Sequence, residues 1–578
     1  MKNEFSPVQK KLMLVFGLIV CLSPFRVYPS QTQRFIANTF RFPIDGQLTL
    51  NGNYGEIRPN HFHAGIDLKT DAVKNLPIYS IEDGYVSRVK VSTTGYGKVL
   101  YVTHPNGYVS VYAHQHHFSK RIAEFVKQEQ AQKETFEIEI FPKPEELQLK
   151  KGEVIGYTGN TGNSQGPHLH FEIREEKSEI PLNPLRFYKI NDVVAPKIQG
   201  VFFYNLNNME APVVNKTIKP GADKTYSFTK EGRQWLMKNT MTVNSCFGLG
   251  ISAFDTETLR GNVNQVYGVK VLLDEQPYVH YEFDGIAFDQ ARYVNCFSEQ
   301  SNGLKQQKIQ RCFLSQNEEL PIFKIAQNNG EFILKDTLTH ILKITVYDIN
   351  GNEEVVVMNV KNSKTLAEPT RHNQLRSCLN EWQKESDYYR LLIPERTFYN
   401  DYSLRIENPA QKLNYQSRLL VLKGTSVPLF KALDIALKPI GAKQNLYDKL
   451  CVIETGTQSY CGGTVEEGMI KGQSKTLGTF ALVYDTIAPS IKAMTGGKKN
   501  ADVSRQSALS FLVSDNLSGI DRFRMEINGK WVNAEYEHKN NSIFYTFDAE
   551  STGGKLNIKL EVWDKKGNRN SCNRECVR

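Results

Sequence analysis

Cysteine is missing where the histidines gather. Of nine cysteines in 578 residues, none falls between His61 and His170, the stretch that holds eight of the twelve histidines. Thiolate metal ligands and a cysteine nucleophile are therefore excluded there. The glycine-rich run 152–166 leads into Pro167-His168 and not into Gly-Lys-Ser/Thr, which removes a phosphate cradle; its glycines suit tight loops that expose a groove. No basic stripe interleaved with aromatics accompanies the formal charge of +9, so nucleic acid is not an expected partner. That charge favours an acidic surface such as an anionic glycan or lipid. The apolar run Leu12 to Leu22, preceded by Lys10 and Lys11 and broken at Pro24, is too short to span a bilayer comfortably and has the length of a signal-peptide core. Residues 1–30 read as an export signal, with an uncleaved anchor left open. The eight cysteines beyond it permit disulfides in an exported chain, and Cys572 with Cys576 is a conceivable local pair.

What is present is a histidine pattern in three pieces: His63 with Asp67 four residues on, His114 after Tyr112-Ala113, and His168-Leu169-His170. His63 and Asp67 can offer one nitrogen and one oxygen ligand from a single loop, and His170 a third ligand from a distant strand. The fourth position is left for water, which is what a hydrolytic Zn²⁺ site requires. Residues two apart on a strand share a face, so His168 looks into the same groove as His170 while Leu169 and Phe171 turn to the core. His61, His104, His116 and His117 fit no ligand position, and Arg58 and Asn60 are candidates to line the groove. His280, His340, His372 and His538 stand alone and carry no site.

The surrounding pattern is β. Val99 to His114 reads as a hairpin turning at Pro105-Asn106-Gly107. Residues 116–150 interrupt it with a helix after Ser119, carrying Ile122, Phe125 and Val126 on one face, and then a strand through Phe136, Ile138 and Ile140. This excursion is read as packed surface in preference to a lid. Past Tyr188, period-two runs dominate and a signature repeats. Val346-Tyr347-Asp348 runs to Gly351-Asn352 and Val562-Trp563-Asp564 to Gly567-Asn568, with Ala195-Pro196 and Ala488-Pro489 opening matching strands. The expected division is 1–30 signal, 31–190 histidine-bearing domain, 191–363 Ig-like sandwich region, 364–484 β-rich middle region and 485–578 C-terminal Ig-like module.

Asn60-His61-Phe62-His63-Ala64-Gly65-Ile66-Asp67, Tyr112-Ala113-His114 and Gly166-Pro167-His168-Leu169-His170-Phe171-Glu172 resemble, in order, the three signatures of the M23 (LytM and lysostaphin type) zinc metallopeptidases. The resemblance covers about residues 40–188, and the layout with later sandwich modules is similar to long M23 proteins of Bacteroidetes. It implies a mainly β fold with an open groove, Zn²⁺ on His63, Asp67 and His170, and His114 and His168 beside the metal-bound water. One of these two histidines activates water and the other stabilises the oxyanion, and the sequence leaves open which does which. The implied substrate is the peptide stem of peptidoglycan, D-alanyl links to diaminopimelate being favoured over glycine bridges. The implied location is the periplasm or envelope of a Gram-negative bacterium, with envelope partners met through the sandwich modules. Two rivals stand beside it: a silent LytM-type protein that activates other wall hydrolases, and an adhesion or scaffold protein. Silent relatives lose metal ligands, whereas all five positions are kept here.

Overall fold

The computed structural model describes residues 40–578 apart from 47–48, 72, 74, 189, 207–212, 257–261, 301–307, 363–374, 497–499 and 548–552. The export signal expected over 1–30 lies outside the described residues, as does His372. No helix among the described residues is long and apolar enough to cross a membrane.

Strand alternation builds the first unit. In His168–Glu175 the residues Leu169, Phe171 and Ile173 are fully buried in one core with Ile66, Leu68, Val89, Leu100 and Tyr112, while His168, His170, Glu172 and Arg174 share the opposite face. The strand sits inside an antiparallel sheet ordered Leu50–Gly52, Ile66–Lys69, His168–Glu175, Tyr108–Ala113, Lys98–Thr103, Gly84–Val91, Ile138–Ile140. The expected hairpin is thus Lys98–Thr103 with Tyr108–Ala113. Its register decides the chemistry: His170 lies opposite Asp67 on one side and Ala113 on the other.

The excursion after His116 is packed. Helix Lys120–Lys133 follows Ser119, whose side chain makes no capping bond, and buries Ile122 and Val126. The strand Ile138–Ile140 then closes the sheet edge against Gly84–Val91.

Beyond it, pairs of sheets face each other over successive cores. Six- and seven-stranded sheets enclose Val201, Phe203, Leu249, Val269, Ile344 and Val356. Two five-stranded sheets enclose Leu391, Leu420, Ile435, Val452 and Leu482. A four- and a five-stranded sheet enclose Leu509, Phe511, Met525, Ile558 and Leu560. All eight cysteines past residue 200 are free thiols. The conceivable Cys572–Cys576 pair is corrected by its setting: both lie on the strand Arg569–Val577, opposite Leu560 and Leu556. Four residues of extended chain separate Cα atoms by about 13 Å, far beyond disulfide reach.

The first unit is not closed on itself. Tyr54, Ile57 and Phe62 are buried in the core of the next unit, where the Phe62 ring meets Phe283 and Phe297 at centroid distances of 6.0 and 5.7 Å. On another side, Lys98 pairs with Glu535 at 2.8 Å and Asn533 Nδ2 donates to Gln130 Oε1 at 2.8 Å, so the last unit folds back onto the first.

Candidate metal and catalytic site

Three short elements bring the five histidine-pattern residues together. The turn before Ile66–Lys69 carries His63, and Gly65 is required in it because a Cβ there would collide with the Phe171 backbone carbonyl. His63 Nε2 lies 3.0 Å from Asp67 Oδ1, His170 Nδ1 lies 3.0 Å from the same oxygen, and the two nitrogens are 2.9 Å apart. All three side chains are buried.

The other ring nitrogens are already committed. His63 Nδ1 donates to the Asn53 carbonyl at 2.8 Å and His170 Nε2 to Glu172 Oε1 at 2.8 Å. A carbonyl or ionised carboxylate only accepts, so these nitrogens carry the protons. Neutral imidazoles so fixed turn two lone pairs toward each other and toward a carboxylate oxygen. Such a convergence calls for a cation, and two imidazole nitrogens with one carboxylate oxygen are a donor set that suits Zn²⁺. His63, Asp67 and His170 are thus the residues able to hold a metal ion.

Charge around the triad is balanced. Arg58 Nη2 donates to Asp67 Oδ2 at 2.5 Å and to Glu56 Oε2 at 3.1 Å. Burial opposes ionisation of Asp67, but His63, His168 and His170 hold its carboxyl well below the usual range. Burial likewise opposes charge on His170, yet its bonds to Asp67 and Glu172 carry it up to about 9 in the absence of a metal. Glu172 is buried too, and Arg174, whose Nε donates to Oε2 at 2.7 Å, together with His170 holds it down at about 2. The Tyr96 hydroxyl also donates to Glu172 Oε1.

His114 and His168 flank the triad, their rings 4.9 Å apart. By alternation His114 would follow Tyr112 into the core. Its left-handed φ of 59° breaks the alternation, a strained conformation of the kind that collects at functional sites. Its Nδ1 donates to the Thr161 carbonyl at 2.8 Å, and His168 Nδ1 donates to the Gly166 carbonyl at 2.8 Å. His114 therefore keeps its Nε2 lone pair free for a proton, while His168 turns its Nε2 to within 3.4 Å of Asp67 Oδ1. Burial, reinforced by the neighbouring His170 and His168, pushes His114 down to about 3, so it stays neutral.

The four remaining local histidines stay outside the triad. His61 Nδ1 bonds the Pro59 carbonyl, His104 bonds Asp83 and Ser110, and His117 stacks on Tyr157. His116 packs its ring against His117. Arg58 does reach the site, through Asp67, whereas the Asn60 side chain turns to Asn295 at 3.4 Å. Glu172, Arg174, Tyr96 and Asn53 were not among the sequence candidates. Glu172 and Arg174 had a signal, since they continue the period-two face of His168 and His170. Tyr96 and Asn53 had none.

The peptidase family M23 model matches residues 61–131 and 143–184, and a Zu5-like domain model matches 376–485. The chain is similar to the DD-carboxypeptidase/endopeptidase Mpg of Neisseria meningitidis, 32% identical over 21% of this chain and 22% of that protein. It is also similar to an uncharacterized metalloprotease of Haemophilus influenzae, 32% identical over 28% of this chain and 26% of the relative. The murein hydrolase activator NlpD of Escherichia coli is 28% identical over 26% of this chain and 31% of its own length. The chain thus spans less than a third of each of these relatives.

Proposed function

Since the peptidase family M23 model matches residues 61–131 and 143–184, we propose that this chain is an exported zinc metalloendopeptidase that hydrolyses the peptide cross-bridges of bacterial peptidoglycan. The observation that carries the reading is the meeting of His63 Nε2, Asp67 Oδ1 and His170 Nδ1 within 3.0 Å of one another, every remaining ring nitrogen of the triad being tied to an acceptor. Zn²⁺ held there would polarise a peptide carbonyl and acidify a water, the chemistry of metal-assisted amide hydrolysis.

The protein's own part is positioning and proton handling. Glu172 fixes the His170 ring and its tautomer, as an outer carboxylate does for a ligating imidazole. Asn53 does the same for His63, and Arg58 keeps Asp67 ionised. His114 and His168 both flank the triad with Nδ1 tied to a backbone carbonyl, so either is placed to accept the proton released as water attacks and return it to the leaving amine. A substrate peptide would approach from the side of His168, whose side chain keeps 13% exposure against 2, 7 and 5% for His63, Asp67 and His170. The sandwich units, read as Ig-like spacers or docking modules, would hold this groove against the wall or an envelope partner in the periplasm of a Gram-negative cell.

Digestion of purified sacculi by the wild-type chain and by His170→Ala, with released fragments identified by mass spectrometry, tests the reading. Zinc-dependent fragments from the wild type alone are expected, and their masses name the bond. Silence from a wild type that holds one zinc per chain would replace the enzyme by a hydrolase activator of the kind named among its relatives.

A further inference from the structure

Two other places in the chain gather three acidic side chains, and they match each other. Asp192, Asp255 and Asp348 form one group, Asp485, Asp515 and Asp564 the second, and in each a carboxylate oxygen from every member lies within 4.8 Å of the others. The same hydrogen bonds frame both. Asn352 Nδ2 donates to the Asp192 carbonyl at 2.9 Å and to Asp348 Oδ2 at 2.7 Å. Asn568 Nδ2 donates to the Asp485 carbonyl at 2.9 Å and to Asp564 Oδ2 at 2.8 Å. The repeat noticed in the sequence is therefore a repeat of a built polar cluster. Each stands at a joint: Asp192 precedes the strand Lys197–Asn205, and Asp485 directly follows Thr479–Tyr484 and precedes Ser490–Ala493.

The second cluster is chemically incomplete. Asp485 is 1% exposed, and its Oδ1 has no hydrogen-bond partner. Asp515 Oδ1 is likewise unpartnered. Among the described residues no lysine, arginine or histidine forms an ion pair with any of the three; the nearby Lys566 Nζ donates to the Gly463 carbonyl at 2.7 Å. Burial, aided by the charges of Asp564 and Asp515, pushes the Asp485 carboxyl up from its usual range. A buried carboxylate oxygen facing two more carboxylates without a donor is costly unless a cation joins them.

We infer that Asp485, Asp515 and Asp564 bind a Ca²⁺ ion that ties the last module to the region before it, and that Asp192, Asp255 and Asp348 form the matching site at the first joint. The donors are all oxygen, which favours a hard cation over Zn²⁺. Ca²⁺ accepts about six to eight oxygen ligands in a flexible geometry, which three carboxylates and added waters can supply, whereas Mg²⁺ demands a near-ideal octahedron and keeps more of its water. The inference is independent of the peptidase reading, since neither cluster touches the histidine triad.

The test is calorimetric titration of Ca²⁺ into the full chain after EGTA treatment with zinc restored, beside Mg²⁺, together with thermal unfolding. Two Ca²⁺ per chain are expected, with affinities of about 10⁻⁴ to 10⁻³ M as in extracellular modules, and a rise in Tm that Mg²⁺ does not reproduce. Asp515→Asn, at a partly buried loop position, should remove one of the two ions and leave digestion of sacculi unchanged; Asp255→Asn should remove the other. No heat and no Tm shift at about 10 mM Ca²⁺, an equal response to Mg²⁺, or undiminished stoichiometry in Asp515→Asn would each overturn the assignment. The wild-type stoichiometry decides even where a variant fails to fold.

Discussion

The two walls of the histidine groove are held by different physics. On the His63 side, Phe62 is sunk between Phe283 and Phe297 of the following unit, and Asn53, which accepts from His63 Nδ1, is itself clamped by Gln265 through bonds of 2.6 and 3.0 Å. On the side of His114 and His168, Thr161 and Ser164, whose Oγ lies 3.1 Å from His168 Nδ1, sit in a loop gripped by Lys539 of the last unit, which donates to the Asn160 carbonyl and, at 3.3 Å, to that of Ser164. The first wall is apolar and buried. The second is polar and held by hydrogen bonds. Under the proposed peptidase reading, metal ligands must hold a fixed geometry while the groups that meet substrate have to accommodate it, and the division of anchoring would follow that division of labour.

Truncating the apolar anchor should have the largest effect. Phe62→Ala removes a buried ring from a shared core, which costs about 3–5 kcal/mol in comparable cavities, and it should weaken zinc binding because His63 is the next residue. Urea unfolding and zinc titration check both; a stability loss under about 1 kcal/mol would mean that the loop holds itself and that the first wall is no firmer than the second.

The same wall carries a pH dependence. Glu318 lies behind it, accepting from Ser315 N at 3.0 Å and from the Cys296 thiol at 3.4 Å, and burial pushes its carboxyl up to about 7 from 4.5. A folded value above the unfolded one gives stability that is complete below pH 4.5 and is lost as pH rises through 7, on the order of 3 kcal/mol in all. Glu318→Gln should flatten that slope in the pH profile of Tm; a slope unchanged by the substitution would assign it to other groups.

How far these features could be read from sequence depends on their separation in the chain. The triad was legible because His63 with Asp67 and His168 with His170 are local patterns, and strand alternation correctly turned Leu169 and Phe171 to the core. The same alternation reached Glu172 and Arg174, but a charged pair on a strand reads as a solvated edge until Tyr96 is seen to cover Glu172, and Tyr101 and Phe288 to cover Arg174. Phe62 in a neighbouring core and Lys539 on the 158–166 loop join residues more than 200 positions apart, and no periodicity reports such contacts. The excursion after His116 was rightly expected to be packed, yet its role as the seat for Asn533 required the last unit to be in place.

Between the walls, Glu172→Gln tests the outer bond to His170. The amide keeps the shape and loses the charge that fixes the ring, so zinc affinity and activity should fall about 10- to 100-fold, the usual effect of such a partner. Stability in the zinc-loaded protein should change little by comparison. Loss of fold at neutral pH would instead make Glu172 a structural counter-ion of Arg174, with no special bearing on the metal.

The smallest effect is expected at the polar wall. Lys539→Ala deletes charge-assisted bonds at a partly exposed site, and Glu535→Gln its ion pair with Lys98; such contacts are worth about 0–1 kcal/mol each and weaken with salt. Tm should therefore stay nearly constant, while the turnover of sacculi shifts by a few-fold at low ionic strength and returns toward wild type as salt is raised. A collapse of activity at unchanged Tm would sharpen the contrast in the other direction, by showing that the last unit holds Thr161 and Ser164, and through them His114 and His168, as firmly in function as Phe62 holds the loop of His63.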